Sequence, residues 1–215
     1  MASTNLFDKV YGIVGADLVE IFGGSGTGKS TFAYMVALDA LNQGKSVFWL
    51  DSERNIAEVP QSEKLRYIYT PRFDEIMNYA RNLPKADVYV LDSLGYPVLS
   101  QYAEASMDEK GRMLLKAVSL TQYLKLATYR NGALAIVTNQ PISSFGKPDV
   151  SEEELRPFGD KSIYGYKEIW RTHIIEQSPS KTISEVRAWR SRRFGRGKPL
   201  FRITISDKVS VEPLI

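Results

Sequence analysis

Residues Gly23-Gly24-Ser25-Gly26-Thr27-Gly28-Lys29-Ser30, followed by Thr31, match the pattern G-x-x-x-x-G-K-[ST] in full. Such an octet binds phosphate. Its glycines let the backbone curl until the N–H groups converge on the α- and β-phosphates of a nucleotide. Lys29 reaches the β/γ oxygens, and the Ser30 hydroxyl is placed to bind Mg²⁺. Two acids are spaced to complete the chemistry. Asp92 closes the apolar run Val88-Tyr89-Val90-Leu91, and an Asp at the carboxyl end of a parallel strand lies beside the phosphate loop, where it holds Mg²⁺ through water. Glu53 follows Val47-Phe48-Trp49-Leu50, where a carboxylate orients and deprotonates the water attacking a γ-phosphorus. Asp51 lies close by, and spacing alone does not choose between the two. Gln140, after Leu134-Ala135-Ile136-Val137-Thr138-Asn139, offers an amide to the γ-phosphate or to that water.

These groups work only if strands and helices bring them together. Leu18-Val19-Glu20-Ile21-Phe22 reads as a buried strand before the loop. Residues 29–42 read as a helix, with Phe32, Met35, Val36, Leu38, Ala40 and Leu41 at helical spacing and Gly44 as its stop. Strand, loop and helix N-terminus together form a phosphate site reinforced by the helix dipole. Further on, 46–50, 88–91 and 134–137 read as strands, with 73–83 and the long 108–129 as helices. The long helix is expected to bury Met113, Leu114, Val118, Leu120, Tyr123, Leu124 and Leu126. Repeated βα units with nearly all-apolar strands predict an α/β fold with a mostly parallel sheet covered on both faces. The rhythm changes at residues 141–166, which are rich in Gly, Pro, Ser and acids and predict a long functional loop. Four short β-rich stretches follow, at 169–175, 183–189, 200–205 and 209–211, and read as a C-terminal antiparallel edge. No internal repeat or linker divides the chain, so a single domain over 1–215 is expected.

Composition narrows the function classes. At 215 residues, 43% hydrophobic and 25% charged, the chain suits one sizeable core. The absence of cysteine excludes disulfides, cysteinyl zinc sites and thiol catalysis. A single histidine, His173, excludes a multi-histidine metal site and reads as a packed side chain in an apolar run. No stretch is apolar enough to span a membrane, and the N-terminus lacks the features of a secretory signal, so the expected location is the cytoplasm. Net charge is +3, yet residues 181–208 carry nine basic and two acidic side chains, leaving the remainder at −4. That asymmetry points to a polyanion or a phosphate contact.

The order and spacing of Leu18-Val19-Glu20-Ile21-Phe22-Gly23, Leu50-Asp51-Ser52-Glu53, Val90-Leu91-Asp92-Ser93-Leu94, Ile136-Val137-Thr138-Asn139-Gln140 and Pro199-Leu200-Phe201-Arg202-Ile203-Thr204-Ile205 resemble the RecA/RadA recombinase family. The likeness is to its single-domain archaeal RadA paralogues (RadB/RadC-like) and covers the ATPase core, from about residue 8 onward. It implies a RecA-like P-loop NTPase fold, ATP with Mg²⁺, Glu53 as catalytic base, Asp92 as the metal-side acid, and Gln140 as γ-phosphate sensor coupled to a DNA-binding loop. The activity implied is a slow, Mg²⁺-dependent ATPase that is stimulated by DNA or a partner and is an accessory factor in homologous recombination and DNA repair. With the phosphate loop beginning at residue 23, no room is expected for an N-terminal DNA-binding domain or filament linker.

The stretch matching the second DNA loop holds Glu152, Glu153, Glu154 and Asp160, flanked by Lys147, Arg156, Lys161 and Lys167. Acids there repel phosphates, which shifts DNA contact to Lys110, Arg112 and the basic C-terminal stretch. Within that stretch Arg187, Arg190, Arg192 and Arg193 have two readings. One is a finger offered to a neighbouring subunit's γ-phosphate, as in the KaiC-like ATPases, which requires a homo-oligomer. The other is DNA backbone contact, with Trp189 stacking on a base. Two rival functions stand beside the accessory ATPase. One is an ATP-gated adaptor that regulates a full-length recombinase through protein contacts, and the other is a KaiC-like signalling ATPase with no DNA role. Tyr67, Tyr69, Tyr164 and Tyr166 suit base stacking, but core or surface packing is the better reading of each.

Overall fold

Five apolar segments carry the parallel half of the sheet: β1 (Leu18–Phe22), β2 (Val47–Asp51), β3 (Leu65–Tyr69), β4 (Val88–Asp92) and β5 (Leu134–Asn139). All but β3 are buried at every position, as strands covered on both faces must be. The remaining strands are β6 (Pro141–Ile142), β7 (Arg156–Pro157), β8 (Glu168–Ser178), β9 (Lys181–Arg190), β10 (Pro199–Ile205) and β11 (Val209–Pro213). The computed structural model describes residues 5–56, 58–102, 105–142, 156–157 and 165–215. In it nine strands form one sheet in the order β11-β10-β9-β8-β1-β5-β4-β2-β3, and β6 pairs with β7 separately. This is the expected α/β architecture, mostly parallel with an antiparallel C-terminal edge.

Alternation along each strand sorts side chains into two layers. On one face Val19, Ile21, Val47, Trp49, Val88 and Val90 pack against α1 (Leu6–Val14) and α2 (Lys29–Asn42). On the other, Leu18, Phe22, Phe48, Leu50, Tyr89 and Leu91 pack against α3 (Phe73–Arg81), α4 (Gly95–Tyr102) and α5 (Met107–Asn131). Each such side chain, fully buried, contributes about 1.5–3 kcal/mol. An aromatic trio locks the helix that follows the phosphate loop onto the antiparallel edge. Phe32 of α2 lies 5.1 Å from Phe201 and 6.2 Å from Trp170, ring centre to ring centre, and Trp170 lies 5.7 Å from Phe201. Such pairs add about 0.5–1.5 kcal/mol beyond burial. The long α5 has defined ends. Ser106 and Glu109 form a reciprocal capping box, and Gly132 (φ 64°) closes the helix in the left-handed region.

Several expectations need correction. Helices α1 and α4, edge strand β3 and the β6–β7 pair have no counterpart in the sequence reading. Strand β3 carries Arg66 and two tyrosines on a partly exposed edge, so it lacks the continuous apolar run of its neighbours. Strand β8 is antiparallel to β9 but parallel to β1, so it joins the two halves of the sheet. Leu126 is 44% exposed, because α5 turns Leu120, Thr121, Leu124 and Thr128 inward instead. Residues Lys147, Glu152, Glu153, Glu154, Asp160, Lys161 and Tyr164 lie outside the described residues.

Candidate active site

Parallel strands β1, β4, β5 and β2 end at one edge of the sheet, and the loops beyond them converge there. The turn from β1 into α2 is residues 23–28, and α2 begins at Lys29. Two glycines in this turn are required by geometry. Gly28 adopts φ 87°, a conformation L side chains rarely reach. At position 23 a Cβ would lie 2.1 Å from Thr172 Oγ1 and 2.7 Å from the Thr172 carbonyl oxygen. Thr172, on β8, is the prop of the loop. Its hydroxyl is 2.6 Å from that of Thr27, which also donates to the Gly24 carbonyl at 2.8 Å. Lys29 Nζ folds back to donate to the same Gly24 carbonyl at 2.8 Å. Burial holds the Lys29 ammonium below its usual pKa, against the opposing charges of Glu53 and Asp92.

Asp92 stands at the centre of the polar array. Its Oδ1 accepts from Ser30 Oγ at 2.9 Å and from Thr138 Oγ1, whereas Oδ2 is buried without a partner among the described residues. Burial raises the carboxyl from 3.8 to about 6, aided by the charges of Asp51 and Glu53 and opposed by the bonds from Thr138 and Ser30. An unsatisfied buried oxygen beside a serine hydroxyl at the mouth of a phosphate loop suits a hydrated divalent cation. Among the described residues no group of three or more His, Cys, Asp or Glu could hold a metal, so such a cation would draw most of its ligands from phosphate and water.

The choice between Asp51 and Glu53 is now a matter of direction. Asp51 is fully buried. Its Oδ1 accepts from the Glu53 and Arg54 backbone N–H groups at 2.9 and 2.7 Å, and its Oδ2 accepts from the Tyr67 hydroxyl at 2.6 Å. It is fully engaged in building the turn, in which Arg54 takes φ 59°. Glu53 instead faces the cleft. Ser93 Oγ donates to its Oε1, and Asn55 Nδ2 donates to its Oε2 at 3.3 Å. The ends of β2 and β4 are laced together by Ser52, whose Oγ donates to the Ser93 carbonyl at 3.0 Å and accepts from its N–H at 2.9 Å.

The resulting cleft, about 270 Å³, is lined by the phosphate loop (Ser25, Gly26, Gly28, Lys29, Ser30, Thr31), by Glu53, Asn55, Asp92, Thr138 and Gln140, and by Ile205 of β10. Seen alone, Thr138, Ser93, Asn55 and Thr172 are ordinary polar residues, and only the position of the first two beside the strand-ending acid and amide hints at a role.

The comparisons agree with this geometry at the level of fold. No family model matches the chain, and no curated protein does either. Among solved structures, one described as the RadB recombinase superposes with a TM-score of 0.64 at 17% identity, covering 94% of this chain and 93% of that one. The fold is RecA-like. At such identity the likeness extends to the architecture and not to the chemistry.

The basic candidates lie elsewhere. Arg192 donates to Asp17 at 3.4 Å and Arg193 to the Gly12 carbonyl at 2.6 Å. Asp17 precedes β1, whereas the phosphate loop follows it. These two guanidiniums therefore lie at the opposite end of a five-residue strand from their own chain's cleft, roughly 17 Å away by strand rise. Asp17 also pairs with Lys125 at 3.8 Å and Lys167 at 3.3 Å. Arg187 is bound to Glu185 at 2.8 Å, and Arg196 lies 5.3 Å from the Trp189 ring. Arg190 ends β9 and is exposed. Lys110 and Arg112 sit in the first turns of α5, Arg112 beside a separate open groove of about 500 Å³. His173 is half-buried on β8, opposite Glu185. Tyr166 is in the core, Tyr67 holds Asp51, and Tyr69 is exposed beside Arg54. No helix among the described residues is long and apolar enough to cross a membrane.

Proposed function

We propose that this chain is a Mg²⁺-dependent ATPase with a single RecA-like domain over residues 1–215, acting with DNA as an accessory factor in recombination and repair. The observation that carries the reading is the convergence of Lys29, Ser30, Asp92, Glu53 and Gln140, drawn from four strand ends, on one cleft. The loop backbone and Lys29 would take the phosphates, with Lys29 exchanging the Gly24 carbonyl for phosphate oxygens. Ser30 and the free oxygen of Asp92 would hold the hydrated Mg²⁺, which neutralises charge on the β- and γ-oxygens when bound. Glu53, held on both oxygens, orients the attacking water and takes its proton. Gln140 borders the same space from the end of β5 and contacts the terminal phosphate.

DNA binding is supported by the excess of cations at 181–208 and by Lys110 and Arg112 in the first turns of α5, and it would weaken steeply with salt. The test of the site is Lys29→Ala, read by nucleotide titration and phosphate release. ATP affinity is expected to fall roughly tenfold to a hundredfold, the equivalent of one charge-assisted hydrogen bond. Unchanged affinity and turnover would remove the assignment. Turnover with and without single-stranded DNA, across protein concentration, tests the DNA role and any contribution from a neighbouring copy.

A further inference from the structure

Strand β1 carries one ionisable side chain, Glu20, and it is fully buried. It shares a face with Leu18 and Phe22, in the layer covered by α5. Its Oε1 accepts a 2.6 Å hydrogen bond from Asn139 Nδ2. Asn139, equally buried, accepts the backbone N–H of Gln140 on Oδ1 at 2.9 Å. These two bonds orient the amide. Turned over, its NH₂ would face the Gln140 N–H, donor against donor. Gly95, at the start of α4, leaves the space this needs, since a Cβ there would lie 2.8 Å from the same Oδ1.

The second carboxyl oxygen, Oε2, and the Tyr166 hydroxyl are both buried without partners among the described residues, and Tyr166 lies within electrostatic reach of Glu20. A leucine would fill this site without the cost of burying a carboxyl. What Glu20 supplies that leucine cannot is an acceptor that fixes the Asn139 amide. Gln140 follows directly, and its side chain borders the cleft.

We propose that Glu20 is a positioning residue for the nucleotide reaction: from the middle of the central strand it orients Asn139, which holds the backbone of Gln140 and so aims its side chain at the terminal phosphate. The inference rests on the role proposed for Gln140. It also makes a claim about the protein without nucleotide, namely that the Gln140 amide is protected by a side chain whose orientation Glu20 sets.

The experiment compares the whole chain with Glu20→Gln, Glu20→Val, Asn139→Ala, Gln140→Ala and the Glu20→Val/Gln140→Ala pair. Hydrogen exchange at the Gln140 amide is read in nucleotide-free protein, with the Val137 amide as a control for general loosening. Glu20→Gln retains an oxygen for Asn139 and is expected to keep protection and kcat within about threefold of the parent. Glu20→Val and Asn139→Ala are expected to lower Gln140 protection at least about tenfold while leaving Val137 unchanged. They should reduce kcat roughly tenfold to a hundredfold, with ATP affinity within about threefold. The double variant should be no slower than Gln140→Ala alone, because both changes break one linkage.

Unchanged Gln140 protection in Glu20→Val, or rate losses that multiply in the pair, would overturn the proposal. If Glu20→Val does not fold, Glu20→Met, closer in size to the parent side chain and without an oxygen acceptor, is read in its place against Glu20→Gln. A parent protein that does not hydrolyse ATP would refute the proposed function, and with it this residue's part in the reaction. The exchange result would still report whether the Glu20–Asn139–Gln140 linkage exists.

Discussion

The stability of this protein should depend on pH through Glu20 in a direction opposite to that of most carboxylates. Burial raises its carboxyl from 4.5 to about 8, with the Asn139 bond pulling modestly the other way. In the unfolded chain the group ionises above 4.5, whereas in the folded chain it keeps its proton until about 8. Between those values the folded state binds more protons, so stability falls as pH rises and levels off once the folded group has ionised. The folding constant drops up to about tenfold per pH unit across that window, a total on the order of 5 kcal/mol. Asp92 adds a loss of the same sign, confined to the interval from 3.8 to about 6. Above about 6 the trend belongs to Glu20. Glu20→Gln provides a neutral side chain of the same shape. Urea unfolding of both proteins from about pH 5 to about pH 9 isolates the effect, since every other titration cancels in the difference. The two should be nearly equal at the acid end, and the glutamine variant should gain several kcal/mol by the alkaline end. Parallel curves for the two proteins would refute the reasoning.

Other outcomes follow from the same geometry. Glu53→Gln should lower kcat by about 10²–10⁴ with little change in ATP affinity, checked by single-turnover hydrolysis and nucleotide titration, because it removes only the proton acceptor. Gly23→Ala should cost about 1–3 kcal/mol in thermal or urea unfolding, since the new methyl group meets Thr172 at 2.1 Å. Replacing Arg192 and Arg193 together by alanine should move stability by about 1 kcal/mol or less, because their contacts are at the surface. If both reach DNA, the slope of log affinity against log salt should shrink by about two phosphate contacts. An unchanged slope would remove them from the DNA surface.

Read from the chain alone, the octet at residues 23–30 declares a phosphate loop, because its glycines, lysine and hydroxyl together turn several donors toward one anion. Asp92 and Gln140 were legible as strand-ending residues because buried parallel strands appear as continuous apolar runs. Edge strand β3 and the short α4 were not, since their stability comes from neighbours distant in sequence and not from local pattern. Nor did spacing separate Asp51 from Glu53. Only the folded chain turns the former into its own backbone turn and leaves the latter facing the cleft. Glu20 shows the same division. A lone acid in an apolar strand is visible as an anomaly in the sequence, yet its partner Asn139 is 119 residues away. Sequence determines which chemical groups exist and the local periodicity that carries them. Which of them meet, and which are kept from water, is decided by long-range packing.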